Sequence, residues 1–264
     1  HTPEGSALPL SVVRSSAYCA LKPEEAASVS RATIGVYNGV VPPEHRIACL
    51  PHWAPPPIHM LNLIRQLNQD GGHILMLGTP ASGGSGGLPS TLRIAARACD
   101  LKLRTLPHAL ERGRFCGLLR NVLMSLVTGG AEAPCVLLID ALELRPAWQL
   151  QMLAELVDGS EVPGGLLSPL GSLFAARPRD RLEIELSVVE ALGKNATRDR
   201  AWAHFLCVIR RSLHLVFTSE HNGDRTRQHP AQAVLRQFAA FSEKCIVQHL
   251  RVWPDSHVRR CVHA

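Results

Sequence analysis

The chain has few lysines, few aromatic residues and no long apolar run. Four of its 28 basic residues are lysines, and no lysine lies between Lys22 and Lys102. Aromatic residues account for 5% of the 264 positions and charged residues for 19%. No apolar stretch approaches the roughly 20 residues of a membrane helix, and no signal peptide is recognisable. We therefore expect a soluble segment of a longer protein, without a membrane partner.

The basic residues are mostly arginines and are spread along the chain. The formal net charge is +6, but the sequence lacks the basic block with interleaved aromatic residues that is typical of nucleic-acid-binding modules, so no nucleic-acid partner is expected. A low charged fraction suits a module that buries part of its surface against neighbours in a larger assembly. The eight cysteines include no C-x-x-C pair, which is typical of reduced thiols in the cytosol.

Apolar strands alternate with amphipathic helices over most of the chain. Buried strands are predicted at residues 73–77, 135–140, 213–218 and 245–250, and an alternating strand at 101–106. This order predicts an α/β fold, a three-layer α/β/α sandwich with a parallel sheet whose ligands bind beyond the carboxyl ends of the strands. Residues 1–56 are predicted to be an irregular, proline-rich lead-in with a short helix at 23–30.

The stretch after the first strand has the layout of a phosphate-binding loop. Residues 78–85 read GTPASGGS, which fits G-x-x-x-x-G-K-[ST] except that Gly84 stands at the lysine position. We predict that a helix begins near Pro89 or Ser90, so that backbone N–H groups can hold an anion although the catalytic cation is missing. A Gly/Ser-rich surface loop without a ligand is the alternative. The candidate cofactor-binding residues are Gly78, Gly83, Gly84, Ser85 and Gly86.

Two polar residues close later strands. Asp140 follows a buried strand, where P-loop enzymes place an aspartate that holds Mg²⁺, but Ala141 occupies the next position, where hydrolysing modules carry a glutamate. Ser219 ends the fourth strand, where a sensor of the γ-phosphate is expected. The alternatives are a helix N-cap or turn role for Asp140 and a strand-end serine without a ligand.

A second motif overlaps the glycine loop. Residues 83–87 match the G-x-S-x-G nucleophile elbow with Ser85 as nucleophile, and Asp140 and His214 follow in hydrolase order. An elbow turns directly from strand into helix, whereas residues 78–82 separate this match from its strand. The serine hydrolase is therefore a remote alternative.

The order of these pieces resembles the fourth AAA+ module of the dynein heavy chain motor, which has a P-loop NTPase fold. The likeness rests on PIHMLNLIRQLNQDGGHILMLG at residues 57–78, SEVP at 160–163, LHLV at 213–216 followed by Ser219, RQF at 236–238, Cys245, and WP at 253–254. The resemblance implies a large AAA+ subdomain over residues 57–252, and the start of a helical part leading toward a stalk over 253–264.

The resemblance also implies a ligand and partners. These are ATP or ADP with Mg²⁺ held through Asp140, adjacent AAA+ modules of the same heavy chain, and dynein light and intermediate chains and microtubules contacted through the parent chain. The expected location is the cytoplasm and cytoskeleton, or a ciliary or flagellar axoneme. Neighbour-facing arginine candidates, with surface arginine as the alternative reading, are Arg225, Arg227 and Arg236.

The departures from the family pattern concern catalysis. Gly84 and Ala141 together imply a degenerate module of a divergent dynein-like heavy chain, which is structural or senses nucleotide and does not hydrolyse ATP. The alternative is an active ATPase in which Arg93 or an arginine of a neighbouring module replaces the lysine.

Overall fold

The computed structural model describes residues 22–46, 55–78, 84–127, 134–158, 198–220 and 231–249. Within these ranges the helices are α1 Pro23–Val40, α2 Pro55–Leu67, α3 Gly84–Ala98, α4 Arg112–Val127, α5 Ala147–Asp158, α6 Arg198–Ser212, α7 Ala231–Gln237 and α8 Ala239–Lys244. The strands are β1 His73–Gly78, β2 Lys102–Leu106, β3 Cys135–Ile139, β4 Leu213–Glu220 and β5 Cys245–His249. Short 3-10 turns span Pro43–His45 and Leu142–Leu144. None of the helices in these ranges has the length and apolar character to cross a membrane.

The strands form one parallel sheet in the order β2-β3-β4-β1-β5. β4 lies between β1 and β3, with Val216 opposite Ile74 on one side and His214 opposite Val136 on the other. β1 and β3 are buried along their whole length. Burial on both faces explains why their sequences are continuous apolar runs rather than alternating ones. The predicted α/β fold with a parallel sheet is confirmed.

Side chains of each strand alternate between the two faces of the sheet. Leu75 and Phe217 enter an apolar cluster with residues of α4 to α8, and we call this side the α4–α8 face. Ile74 and Val216 enter a second cluster with residues of α1 to α3, on the α1–α3 face. Since helices cover both faces, the predicted three-layer sandwich is confirmed.

The amino-terminal region differs from the predicted irregular lead-in. Residues 23–40 form a continuous helix, α1, which packs against α2 and α3. The sequence predicts only residues 23–30 of this helix, because Gly35 lowers helix propensity farther along and the buried stripe of α1 includes a serine. Packing of that stripe stabilises α1 in spite of its local sequence. The stripe consists of Ala26, Ser30, Ile34 and Tyr37.

A break in the backbone at Phe238 separates α7 from α8. Phe238 has an extended backbone, with φ −126° and ψ 90°, and its ring packs edge-on against Phe241 with centroids 6.1 Å apart. The backbone therefore leaves the helical conformation at Phe238, where the ring is buried. The predicted helical part at residues 253–264 lies outside the described residues.

Candidate functional site

The candidate site lies at the carboxyl edge of the sheet, where β1, β4 and β3 end side by side. Leu77 of β1 is in register with Ser219 of β4, and Phe217 of β4 is in register with Ile139 of β3. Gly78 ends β1 and Asp140 directly follows β3. The end of the glycine loop's strand, Asp140 and Ser219 therefore meet at one edge of the sheet.

The carboxylate of Asp140 contacts a residue that the sequence reasoning did not select. Thr218 Oγ1 donates a hydrogen bond to Asp140 Oδ1 at 3.2 Å. The alternation along β4 places Thr218 on the α1–α3 face with Val216. The sequence offered the polar ending of β4 as a signal, but only the pairing of β3 with β4 identifies the hydroxyl that contacts Asp140.

Ser219 follows Thr218 and therefore lies on the other face of the sheet, with Phe217. Its side chain is buried, and its Oγ has no hydrogen-bond partner among the described residues. A buried hydroxyl without a partner costs about 1–3 kcal/mol. The sensor role of Ser219 stays a prediction.

The chain turns sharply after Asp140. Ala141 has φ 50° and ψ 58°, in the left-handed region, where a residue with a Cβ costs about 1–2 kcal/mol. Its carbonyl accepts a hydrogen bond of 3.0 Å from the backbone N–H of Leu144. The nearest following carboxylate is Glu143, which is partly buried, and its Oε2 has no partner within the described ranges. The position directly after Asp140 therefore carries only a methyl group.

A buried arginine fastens this turn to the sheet. Arg145 Nε donates to the carbonyl of Asp140 at 3.1 Å, and its terminal nitrogens donate to the carbonyls of Leu106 at 2.7 Å and Pro107 at 3.3 Å. A further bond of 3.1 Å goes to Gln149 Oε1 of α5. Burial lowers the pKa of Arg145 to about 10, while the charge of Asp140 acts in the opposite direction. The guanidinium is therefore charged at neutral pH and ties the ends of β2 and β3 together.

The helix after the glycine loop begins earlier than predicted. α3 starts at Gly84, not near Pro89 or Ser90, so Gly84, Ser85 and Gly86 form its first turn. Glycines have low helix propensity, which is why the sequence favoured a later start. The first backbone N–H groups of a helix have no partner within it, and they are available to an anion. Gly83 lies outside the described residues.

The arginine candidates have different positions. Arg93 is exposed and lies nine residues after Gly84 in α3, which corresponds to about 13 Å of helix rise. Its guanidinium is therefore poorly placed to replace the missing lysine. Arg236 is exposed on α7, and Arg225 and Arg227 lie outside the described residues.

The serine hydrolase arrangement is not assembled. Five residues, 79–83, separate Gly78 at the end of β1 from Gly84 at the start of α3, so Ser85 does not stand at a direct strand-to-helix turn. His214 lies near the amino end of β4, four residues before Thr218, which corresponds to about 13 Å of extended chain. His214 is also buried. Asp140 and His214 therefore lack the proximity that a triad requires.

Comparisons with known proteins agree with this architecture. Residues 57–263 match the family model described as the P-loop containing dynein motor region D4. A relative, the dynein alpha chain of the flagellar outer arm from Chlamydomonas reinhardtii, is 22% identical over 201 residues, which cover 75% of this chain and 4% of that protein. The chain thus spans a small part of that relative's length. Because the family model covers most of the sequence, the chain belongs to the P-loop dynein motor region D4 family.

Proposed function

We propose that this chain is a degenerate AAA+ module in the ring of a dynein-like heavy chain, which binds nucleotide or serves as a structural element and does not hydrolyse ATP. The observation that carries the proposal is the turn after β3, where Ala141 stands in left-handed backbone directly after Asp140. The position where hydrolysing modules carry the carboxylate that polarises the attacking water therefore has only a methyl group. Gly84 removes the cation that would neutralise charge during phosphoryl transfer.

The features that binding needs are retained. α3 begins with Gly84 soon after a buried strand, so unpaired N–H groups and the helix dipole favour a phosphate there. Asp140 is partly exposed and directly follows β3, and its carboxylate is a suitable ligand for Mg²⁺. The proposed ligand is ATP or ADP with Mg²⁺. The loop residues proposed to contact it are Gly78, Gly83, Gly84, Ser85 and Gly86.

Mg²⁺ binding is expected to be weak. One carboxylate oxygen of Asp140 already accepts a hydrogen bond from Thr218, and the charged guanidinium of Arg145 lies against the backbone of Asp140. Both interactions offset the negative charge that attracts a cation. Mg²⁺ would therefore compete with the contacts that Thr218 and Arg145 already make to Asp140.

The proposed partners follow from the family. We propose that the chain contacts adjacent AAA+ modules of the same heavy chain. The arginines that face the nucleotide of a neighbouring module are Arg225, Arg227 and Arg236. Light and intermediate chains and microtubules would be reached through the parent chain. The relative from a flagellar outer arm supports an axonemal location within the cytoskeleton. We propose that this module transmits mechanical strain between its neighbours in the ring.

Nucleotide binding and turnover test this proposal together. A fluorescent ATP analogue should bind the chain, and Asp140→Asn should weaken binding more in the presence of Mg²⁺ than in its absence. The matched control is Asp100→Asn, at an exposed position at the end of α3. Phosphate release should stay at background for the unaltered chain. Turnover by the unaltered chain that Asp140→Asn abolishes would show that the module is an active ATPase.

A gain-of-function variant separates degeneracy from lack of binding. Gly84→Lys with Ala141→Glu restores both missing groups, and we expect measurable phosphate release from this double variant. Either substitution alone should give less, since the cation and the carboxylate act on the same step. Nucleotide binding by the double variant without any turnover would place the defect elsewhere in the site.

A further inference from the structure

An open, basic cleft lies between α3 and the edge strand β2, away from the candidate nucleotide site. Its volume is about 730 Å³, and none of its lining residues is acidic. Tyr37 of α1, Ala96 of α3 and Leu101 contribute apolar surface. Four of its nine lining residues are basic: Arg93, Arg97, Lys102 and Arg104.

The basic residues of the cleft are distributed along the length of β2. α3 runs from the carboxyl edge of the sheet to the amino edge, and β2 runs back in the opposite direction. Arg93 is therefore level with the end of β2 near Thr105, and Arg97 is level with Lys102. The cleft spans about 10 Å of extended chain along residues 102–105. Such a groove matches an extended segment better than a compact ion.

β2 is the last strand on its side of the sheet. It pairs with β3 from Lys102 to Leu106, and in the part of the chain that the structure describes no strand pairs with its other side. A free strand edge presents backbone N–H and C=O groups that can pair with an added strand. The cleft therefore combines a pairing edge with exposed positive charge on Arg93 and Arg97.

The two arginines that α3 contributes to the cleft are exposed to solvent. Arg97 pairs with Asp100 at 3.8 Å, but both side chains are more than half exposed, and exposed pairs contribute little. Arg93 and Lys102 are exposed as well. A carboxylate on a bound segment could replace Asp100 at small cost.

We propose that this cleft binds an acidic polypeptide segment in extended conformation. The segment adds to the outer edge of β2, and the carboxylates on its α1–α3 face contact Arg93 and Arg97. Backbone pairing provides the orientation and the basic residues select for negative charge. This site uses neither the glycine loop nor Asp140, so it is independent of the proposed nucleotide function.

Fluorescence anisotropy with labelled octapeptides tests the proposal on the full 264-residue chain. One peptide alternates glutamate and valine, a second replaces glutamate by glutamine, and a third is the acidic peptide with N-methylated backbone at alternate residues. We expect the acidic peptide to bind at least about tenfold more tightly than either of the other two, because they lose the ion pairs or the strand pairing. Raising the salt concentration should weaken its binding.

Substitutions locate the binding surface. Arg93→Gln with Arg97→Gln should weaken binding of the acidic peptide about tenfold. The matched control, Arg31→Gln with Arg114→Gln, removes two exposed arginines outside the cleft and should bind like the unaltered chain. Unfolding midpoints of both variants confirm that each is folded.

Three results would overturn the proposal. The first is no binding of the acidic peptide at roughly millimolar concentration. The second is equal weakening by the cleft variant and the control variant, which would indicate general electrostatic attraction. The third is equal affinity of the N-methylated peptide, with displacement by inorganic polyphosphate, which would indicate an anion site without strand pairing. The peptide comparison needs no altered protein, so it decides the question even if a variant fails to fold.

Discussion

A buried histidine at the amino end of β1 makes the stability of this domain depend on pH. His73 is 7% exposed, and its Nδ1 accepts a hydrogen bond of 3.1 Å from the backbone N–H of Leu215. Burial, assisted by the nearby imidazole of His214, lowers the pKa of His73 to about 4 from an ordinary value of 6.5. Protonation of His73 would both bury a charge and remove the acceptor for Leu215.

The sign and size of the effect follow from this pKa. In the unfolded chain His73 takes up a proton near pH 6.5, and in the folded chain only near pH 4. Acidification therefore stabilises the unfolded state relative to the folded state. The contribution of His73 is fully present above pH 6.5 and is lost as the pH falls toward 4. Between pH 7 and pH 5 the loss is about 2 kcal/mol, and its limit is about 3 kcal/mol.

Urea unfolding at pH 7 and pH 5 measures this loss directly. His73→Asn keeps an acceptor near the position of Nδ1 but cannot titrate, so its free energy of unfolding should fall about 2 kcal/mol less over this interval than that of the unaltered chain. A residual slope is expected because burial also lowers the pKa of His214. His108→Asn removes an exposed histidine as the control. If His73→Asn retained the full slope, the argument from burial of His73 would be refuted.

Four further substitutions test the local geometry through urea unfolding midpoints. Gly72→Ala should cost about 3 kcal/mol, because its Cβ would lie 2.0 Å from the carbonyl oxygen of Gln66. Gly113→Ala, with no atom within 4 Å in α4, should instead stabilise by up to about 1 kcal/mol, and equal midpoints for these two variants would contradict the close approach. Asp100→Gly should stabilise by about 1 kcal/mol, since Asp100 ends α3 with φ 57°, and a lower midpoint would contradict this. Arg145→Met should cost about 3 kcal/mol by leaving buried carbonyls without donors, and an unchanged midpoint would show that they are not buried.

Much of the sheet could be predicted from the sequence because its strands have a simple pattern. β1 and β3 are buried on both faces, and such strands are continuous apolar runs bounded by glycine or a polar residue. Only residues 23–30 of α1 are predicted, because the rest of the helix depends on packing against α2 and α3, which no local pattern records. The start of α3 is predicted too late for a different reason, since the glycines of its first turn have unfavourable helix propensity.

The candidate site could be predicted in outline but not in its contacts. Asp140 was found because it follows a buried strand, whereas Thr218 was passed over for Ser219. The choice between these two depends on which face of the sheet Asp140 occupies, and adjacent residues of β4 lie on opposite faces. Arg145 was also missed, because its partners include the carbonyl of Leu106 at the end of β2, 39 residues earlier in the sequence. Sequence spacing alone does not reveal such contacts.

The position of β4 sets a minimum length for a ligand that contacts the ends of both β1 and β3. Since β4 separates β1 from β3, Gly78 at the end of β1 and Asp140 after β3 are two strand spacings apart, or about 10 Å. A nucleoside with a single phosphate can occupy one end of this gap, whereas a longer phosphate chain with its cation can bridge it. Affinity should therefore rise with the number of phosphates. The distance across β4 determines the number of phosphates at which this rise begins.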